Sequence, residues 1–244
     1  MSCKFHENYR MKDVKIIDGH PFVAYSKETY NPAEMLELSK NFYQWMDKRR
    51  TVRDFSDKPI AKEVIENILL TASTAPSGAH KQPWIFCVVS NPEIKKQIRT
   101  EAEKEEYKSY TDRMSEEWLK DLAPLQTDWQ KPFLETAPYL IIVFSRSYEV
   151  EANGHKHQNY YVKESCGIAC GFLLAAIHNA GLVALTHTPS PMNFLSKVLT
   201  RPENEKAFLV VPVGYPLEEC LVPDLKRKSL NEIVVWFSPE LAEG

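Results

Sequence analysis

The hydrophobic and polar positions of the 244-residue chain follow two periodicities. Residues 31–49 are amphipathic, and residues 60–72 place apolar side chains at the spacing i, i+4, i+5 and i+8, so we predict a helix in each segment. The first of these begins with Asn31-Pro32-Ala33-Glu34, an N-cap followed by proline at N1 and glutamate at N3. The second follows Lys58-Pro59, so both helices have a start signal as well as an apolar stripe.

Short runs of β-branched and aromatic residues between turn residues predict buried strands. The runs are residues 84–89, 139–144, 208–213 and 233–237. Asn91-Pro92 opens a long charged helix between the first two runs. Strands that alternate with long helices in this way predict a mixed α/β or α+β domain, with helices packed on a modest sheet.

Residues 166–185 form the most apolar stretch of the chain and approach the ~20 residues that a membrane-spanning helix requires. His178, Asn179 and Gly181 interrupt the stretch. We therefore expect a buried helix with Gly181 at its C-cap, then a core strand over residues 182–187, and no membrane association.

Composition removes several functional classes. Thirty basic and 33 acidic residues give a net charge of −3, which offers no field for a nucleic-acid backbone. The eight glycines form no dinucleotide-binding, P-loop or hydrolase-elbow motif. The five cysteines and seven histidines form no metal-binding motif, and only His155 and His157 lie close together. We expect no metal site. Scattered cysteines and the lack of a signal-peptide core in the first thirty residues predict a cytoplasmic location.

Two segments have residues suited to an anionic ligand. Arg49, Arg50 and Arg53 lie within five positions, and with the Thr51 hydroxyl they are suited to a phosphate group. Residues 75–79 form a flexible turn whose backbone N–H groups are free to face a ligand. A surface basic patch and an ordinary loop are the alternatives.

Residues 100–112 have a helix-forming composition but no aliphatic side chain except Ala102. Such a helix has little to bury in a core, so it is either mobile or held by something other than hydrophobic contacts. A solvated charged face is the alternative.

Several motifs occur together and in order: RRTVRDF from residue 49, TAPSGAHKQPW from residue 74, SCGIACGFLLAAIHNAGLVALTHTP from residue 165, and VGYP followed by VPDLKRK. Together they resemble the nitroreductase-like flavoprotein superfamily and, within it, the iodotyrosine deiodinase family. The resemblance extends over residues 49–230, which is most of the chain.

This resemblance implies an α+β nitroreductase-like fold with a central mixed sheet flanked by helices. It also implies an intertwined homodimer with FMN sites at the subunit interface. Residues 1–30 would be an N-terminal arm, and residues 31–244 one FMN-binding domain with an active-site lid at about residues 100–131. The implied FMN-binding residues are Arg49, Arg50, Thr51, Arg53, Pro76, Ser77, Thr186, His187, Thr188 and Arg227.

Within that set, the resemblance implies that Arg49, Arg50, Thr51 and Arg227 bind the ribityl phosphate. Arg53 would lie at the N1/O2 edge of the flavin, where a guanidinium stabilises the negative charge of the reduced ring. Thr188 is the implied catalytic residue, with its hydroxyl near N5 of the flavin. Vertebrate members have threonine at the position of His187, so no catalytic role is assigned to this histidine.

The family's substrate-binding residues match Glu106, Tyr110 and Lys131, which would hold a zwitterion, and the backbone N–H of Ala79, which would face a phenolate. The implied activity is FMN-dependent reductive dehalogenation of halogenated tyrosines. NAD(P)H would supply electrons directly or through a reductase. A general FMN-dependent nitro- or quinone reductase and a non-catalytic flavin- or halotyrosine-binding protein are the alternatives.

Overall fold

The computed structural model describes residues 14–25 and 28–237. The chain divides into two compact units, one ending at Asp47 and the other beginning at Lys48, and each is described by itself. The expected N-terminal arm belongs to the first unit, and its residues 1–13 and 26–27 lie outside the described residues. The same holds for residues 238–244 at the end of the expected FMN-binding domain.

The first unit contains a β-hairpin and one helix. Strands β1 (Val14–Ile17) and β2 (His20–Val23) pair antiparallel. Helix α1 (Pro32–Asp47) confirms the prediction for this segment. The Asn31 side chain accepts hydrogen bonds from the backbone N–H groups of Ala33 and Glu34, and the Glu34 carboxylate accepts one from the Asn31 N–H. The start signal in the sequence is therefore a capping box.

The second unit is organised by a five-stranded sheet. Its strands are β3 (Phe55–Ser56), β4 (Trp84–Val89), β5 (Tyr139–Arg146), β8 (Val183–Ala184) and β9 (Glu205–Pro216); β6 (Tyr148–Val150) and β7 (Lys156–Gln158) form a separate hairpin. The sheet order is β3-β9-β5-β4, and β8 also pairs with β9. The α+β fold class expected from the sequence is confirmed.

The pairing within this sheet differs from the mixed sheet that was expected, because every strand pair is antiparallel. Strands β5 and β8 run in the same direction, but β9 pairs with both and lies between them. Among the described residues, the parallel component is a single bridge between Thr51 and Ala184.

The helices described in the second unit are α2 (Lys62–Ser73), α3 (Pro92–Lys108), α4 (Glu116–Leu122), α5 (Phe133–Thr136), α6 (Val162–Asn179), α7 (Asn193–Val198) and α8 (Leu230–Ile233). Five of them cover the two faces of the sheet, whereas α4 and α8 bury no residue. Alternate residues of β5 face two cores. Ile141 and Val143 pack with α2 and α6. Leu140, Ile142 and Phe144 pack with α3, α5 and α7. The result is a three-layer unit.

Helix α6 confirms the buried helix expected in the most apolar stretch. It ends at Asn179, and Gly181 has the positive φ of +72° that favours glycine after a helix. Leu173 and Ile177 are buried on one side, while Ile168 and Phe172 are 43% and 39% exposed on another. In the described part of the chain, none of the helices combines the length and apolar character that a membrane crossing demands.

Two strand predictions need correction. The strand expected over residues 182–187 is reduced to β8 and a single bridge between His187 and Val210. Residues 233–237 form no strand: α8 ends at Ile233, and Val235, Trp236 and Phe237 are 75–96% exposed. A capping box between Ser229 and Glu232 starts a helical turn there, and the apolar run has no neighbouring strand to pair with in the described chain.

Candidate active site

An open cavity of about 420 Å³ brings together five of the predicted cofactor-binding residues. Its lining residues are Arg49, Arg50, Thr51, Arg53, Leu125, Pro223, Leu225, Lys226 and Arg227. Two hydrogen bonds hold residues 223–227 beside residues 49–53. The Arg227 guanidinium donates to the Arg49 carbonyl at 3.0 Å, and the Arg50 guanidinium donates to the Pro223 carbonyl.

The positive charges in this cavity destabilise one another. Burial lowers the pKa of Arg49, and the charges of Arg227 and Arg50 lower it further. A phosphate dianion would replace this repulsion with charge-assisted hydrogen bonds, for which planar guanidinium groups are well suited. The residues of the cavity therefore fit the phosphate end of a nucleotide-like cofactor.

The arginine segment lies beside the strand that leads to the predicted threonines. The Val52 N–H donates to the Ala184 carbonyl at 3.3 Å. Beyond Ala184 the burial alternates: Thr186 and Thr188 are exposed, whereas His187 is buried. Because successive side chains of an extended segment point to opposite sides, the two hydroxyls share one side and the imidazole lies on the other. The structure thus separates His187 from the two threonines with which it was grouped.

The predicted substrate-binding side chains Glu106, Tyr110 and Lys131 meet at one place. Glu106 lies in α3, Tyr110 lies in the π-helical turn Ser109–Arg113, and Lys131 precedes α5. Glu106 Oε2 lies 3.5 Å from Lys131 Nζ, which is 5.3 Å from the centroid of the Tyr110 ring. Thr127 joins the two side chains. The Tyr110 hydroxyl donates to its carbonyl at 3.1 Å, and the Lys131 ammonium donates to its hydroxyl at 3.2 Å.

This ion pair is almost fully buried, with side-chain exposures of 11% for Glu106 and 5% for Lys131. Burial raises the pKa of Glu106, although the Lys131 charge acts in the opposite direction. Burial lowers the pKa of Lys131, and the Glu106 charge opposes that shift. For both groups desolvation outweighs mutual attraction. We therefore expect the pair to cost folding free energy, as charges withdrawn from water do.

Arg53 connects the arginine cavity to this pair electrostatically. Its charge contributes to lowering the pKa values of Lys131 and His187, and it opposes the rise that burial causes in the pKa of Tyr110. Leu125 lines the arginine cavity and, with Gln126, a neighbouring one of about 420 Å³ beside Arg53. Leu125 and Gln126, near the end of the predicted lid, therefore border the space in front of the arginines.

The predicted loop of Pro76, Ser77 and Ala79 lies against the start of α6. The Gly78 N–H donates to Ser165 Oγ at 3.4 Å, and the Ser77 hydroxyl accepts from the Gln82 N–H at 2.9 Å. A Cβ atom at Gly78 would lie 2.8 Å from the Tyr161 ring. Ala79 is exposed and has a φ of +47°. None of the three predicted residues lines the arginine cavity, so the structure does not join them to the arginines within one chain.

Sequence reasoning missed the interactions that hold Lys131 and Glu135 against α3. The Lys131 N–H donates to Glu103 Oε1 at 2.7 Å, and Arg99 bonds both to Glu103 at 2.7 Å and to Glu135 at 3.1 Å. The spacing of Arg99 and Glu103, four residues apart on a helix, is the signal that was available. The pairing with Lys131 is long-range and left no comparable pattern.

Within residues 14–25 and 28–237, the other reactive side chains do not form a second centre. Burial raises the pKa of Cys166 to about 12 and of Cys170 to about 11, so both thiols stay protonated. His157 lies 3.6 Å from Glu151 in the β6–β7 hairpin. Across the described ranges no group of three or more metal-ligating side chains converges.

Comparison with known proteins places this geometry in a family. The profile described as Nitroreductase family matches residues 46–215. Iodotyrosine deiodinase from Haliscomenobacter hydrossis is 65% identical over 216 residues, covering 88% of this chain and 97% of that protein. Human iodotyrosine deiodinase 1 is 47% identical over 214 residues, covering 87% and 74%, respectively. A crystal structure of oxidized iodotyrosine deiodinase bound to FMN and 3-iodo-L-tyrosine superimposes with a TM-score of 0.68 at 32% identity, covering 81% of this chain and 99% of that one. The chain therefore belongs to the nitroreductase family, in the branch of the iodotyrosine deiodinases.

Proposed function

We propose that this chain is an FMN-dependent reductive dehalogenase of halogenated tyrosines and works as a homodimer. The observation that carries the proposal is the buried Glu106–Lys131 pair with Tyr110 beside it, next to an arginine-lined cavity. A general nitro- or quinone reductase has no use for buried opposite charges at this place, because its substrates have no amino-acid group. The relatives at 47% and 65% identity, both named iodotyrosine deiodinases, support the same activity.

The cofactor half of the site would be formed by the arginine cavity. Arg49, Arg50, Thr51 and Arg227 would bind the FMN phosphate, which compensates their mutual repulsion. Arg53 would lie toward the flavin ring, where its fixed charge stabilises the reduced state. The exposed hydroxyls of Thr186 and Thr188 would face the cofactor as well. When bound, FMN supplies the two electrons of the reaction.

The substrate half would be a receptor for a zwitterion. Glu106 Oε2 and Lys131 Nζ pair with each other at 3.5 Å in the structure. On substrate binding, Glu106 would accept hydrogen bonds from the substrate ammonium, and Lys131 and Tyr110 would donate to its carboxylate. The Ala79 N–H would donate to the phenolate oxygen. The two buried charges would then have fixed counter-ions on the ligand, and water would be excluded from both.

The reaction balances with one halogen atom exchanged for hydrogen. The aryl carbon–halogen bond breaks, an aryl carbon–hydrogen bond forms, and halide leaves. The exchange would take two electrons, which bound FMN would supply, and one proton from the site or solvent. A donor of the NAD(P)H class, acting directly or through a reductase, would then reduce the oxidised FMN.

Dimerisation would complete the site. One side of α6 presents Gly167 and Gly171, where an added Cβ would meet no atom within 4 Å, together with the partly exposed Ile168 and Phe172. A second copy packed on this side would cover that apolar surface. It would also bring the 76–79 loop of one chain to the arginine cavity of the other, which the isolated chain does not do.

Anaerobic titration tests the proposed activity. Protein loaded with FMN and reduced by dithionite, with excess reductant removed, is titrated with 3-iodotyrosine while flavin absorbance and free iodide are followed. We expect flavin to be reoxidised with one iodide and one tyrosine released per FMN. A matched titration uses a nitroaromatic compound. Reoxidation by the nitroaromatic without iodide release from iodotyrosine would overturn the proposal in favour of a general nitroreductase.

A further inference from the structure

His187 is a buried imidazole to which the proposed function gives no part. Its side chain is 8% exposed. Its backbone is fixed by two hydrogen bonds to Val210, at 2.8 and 2.9 Å. The ring packs edge-to-face on Phe133 with centroids 5.6 Å apart. Nε2 is buried and has no hydrogen-bond partner among the described residues. Burying a polar ring atom without a partner costs free energy, so this rigidly held imidazole requires an explanation.

The groups that face His187 are charged. Glu106 Oε1, on α3, lies 3.9 Å from Nδ1. The positive charges of Lys131 and Arg53 act together with burial to lower the pKa of His187 to about 3. The imidazole is therefore neutral throughout the pH range in which proteins work. Of its two tautomers, the one with hydrogen on Nδ1 is favoured, because the other would turn a lone pair toward the Glu106 carboxylate.

Substrate binding would change the partners of the Glu106 carboxylate. In the structure the Glu106 carboxylate pairs with Lys131, with 3.5 Å between Oε2 and Nζ. In the proposed complex Lys131 turns to the substrate carboxylate, and Glu106 must bind the substrate ammonium without that partner. His187 Nδ1 then lies less than 1 Å beyond hydrogen-bond distance from the other carboxylate oxygen.

We propose that His187 is a positioning residue for Glu106: its neutral Nδ1–H donates to Oε1 as the site closes and aims Oε2 at the substrate ammonium. The proposal rests on the proposed function. A neutral donor suits this task, because an imidazolium would compete with the ammonium for the same carboxylate. His187 therefore acts on the specificity for the amino-acid part of the substrate, and the threonines on either side of it act toward the cofactor.

Three substitutions separate this role from simple packing. The amide nitrogen of His187→Asn reproduces the position of Nδ1, and that of His187→Gln reproduces the position of Nε2. His187→Leu retains bulk and has no donor. Dissociation constants for 3-iodotyrosine and 2-iodophenol are measured by calorimetry on FMN-loaded protein. The parent is measured first, because a parent that does not prefer iodotyrosine contradicts the zwitterion receptor itself, independently of His187.

We expect His187→Leu and His187→Gln to raise the Kd for iodotyrosine about tenfold, the scale of one hydrogen bond to a charged group. His187→Asn should stay within about threefold of the parent, and the Kd for iodophenol should change by less than about twofold in all three. The pH profiles of affinity for the parent and His187→Asn should coincide between about pH 5 and 8, because the imidazole does not titrate there.

Three results would overturn the proposal. Equal losses for iodotyrosine and iodophenol would indicate packing alone. Rescue by Gln and not by Asn would indicate that Nε2 is the functional atom. Unchanged iodotyrosine affinity in His187→Leu, in a parent that discriminates, would remove His187 from the substrate site. Should His187→Leu fail to fold, the comparison of Asn with Gln decides by itself.

Discussion

In strand β5, residues 140–144 are all apolar and have no exposed surface. We propose that residues 100–131 form the lid, and we call them the lid segment; they bury Glu106 and Lys131 instead, and Ala102 is the one fully buried aliphatic side chain among them. Both regions belong to the second unit, and both withdraw side chains from water. The sheet is stabilised by what it buries, whereas the lid segment buries charges at a net cost and is fastened by polar contacts such as the bond from the Lys131 N–H to Glu103.

The difference between the two regions indicates which of them depends on a ligand for its stability. A region whose burial is favourable keeps its structure without a ligand. A region that buries unfavourable charges is completed by a ligand that offers opposite charges in the right places. The free energy spent on burying charges in the lid segment would thus be recovered when a zwitterion binds there.

The largest effect is expected in the sheet. Leu140→Ala removes a fully buried side chain from β5. It should lower the free energy of unfolding by about 2–5 kcal/mol, because burial is lost and a cavity remains. The Kd for iodotyrosine of the folded protein should not change. Urea denaturation measures the loss, with Val88→Ala on β4, where Val88 is 38% exposed, as the control. Equal losses in the two variants would contradict the assignment of the core.

The lid segment should respond in the opposite way. Glu106→Gln and Lys131→Gln should each raise the Kd for iodotyrosine about ten- to a hundredfold, because each removes a charged contact worth about 1.5–3 kcal/mol. Bound FMN should be retained in both. Glu101→Gln is the matched control, since Glu101 lies on the same helix, is 40% exposed and pairs with Lys104. If the control variant weakened binding equally, the effect would be one of overall charge.

Replacing both buried charges at once measures what their burial costs. The double substitution Glu106→Gln and Lys131→Met removes both buried charges, and near neutral pH it should raise the free energy of unfolding of the ligand-free protein by about 1–4 kcal/mol. Substrate affinity should fall at the same time. A double variant clearly less stable than the parent would show that the pair stabilises the lid segment.

The pH dependence of that gain has a definite sign. The raised pKa of Glu106 stabilises the folded parent below the unfolded value of 4.5, and this contribution is lost as pH rises through the folded pKa. The lowered pKa of Lys131 gives stability above 10.5 that is lost as pH falls through its folded pKa. The advantage of the double variant should therefore be greatest between the two folded pKa values and shrink on both sides.

The smallest effect is expected on the exposed face of the lid segment. Lys104 and Glu101 pair at 2.5 Å, with side chains 58% and 40% exposed. Lys104→Gln should change the free energy of unfolding by less than about 0.5 kcal/mol, because an exposed ion pair gains little over solvation. Iodotyrosine affinity should be unchanged. A loss comparable with that of Glu106→Gln would mean that the binding face of the helix is misassigned.

The sequence predicts the sheet better than the site, because a buried strand follows from a local apolar pattern and the site does not. The apolar run at residues 139–144 has one stable placement, so β5 was predicted within two residues of its end. The helix starts at Asn31 and Asn91 were predicted because capping is a local interaction. By contrast, the exposed run at residues 233–237 was predicted as a strand, since its periodicity does not reveal whether a partner strand exists.

Site residues depend on contacts that no local pattern contains. Glu106 and Tyr110 are near in sequence, but their meeting with Lys131 requires the turn through Thr127. The sequence groups His187 with Thr186 and Thr188 as cofactor-binding residues at a strand end. Only the alternation of burial around it, fixed by its pairing with Val210, turns its side chain toward Glu106. The 76–79 loop remains separate from the arginines within one chain, which is the part of the site that a second copy would have to supply.

The most direct test of the central claim is the affinity of the FMN-loaded parent for 3-iodotyrosine and for 2-iodophenol, measured under identical conditions by calorimetry. The two ligands share the halogenated phenol and differ in the amino-acid group that Glu106 and Lys131 are proposed to bind. Two charged contacts predict that iodotyrosine binds at least about a hundredfold more tightly. Equal affinities would mean that the buried pair does not recognise a zwitterion, and the account of the lid segment as a substrate receptor would be wrong.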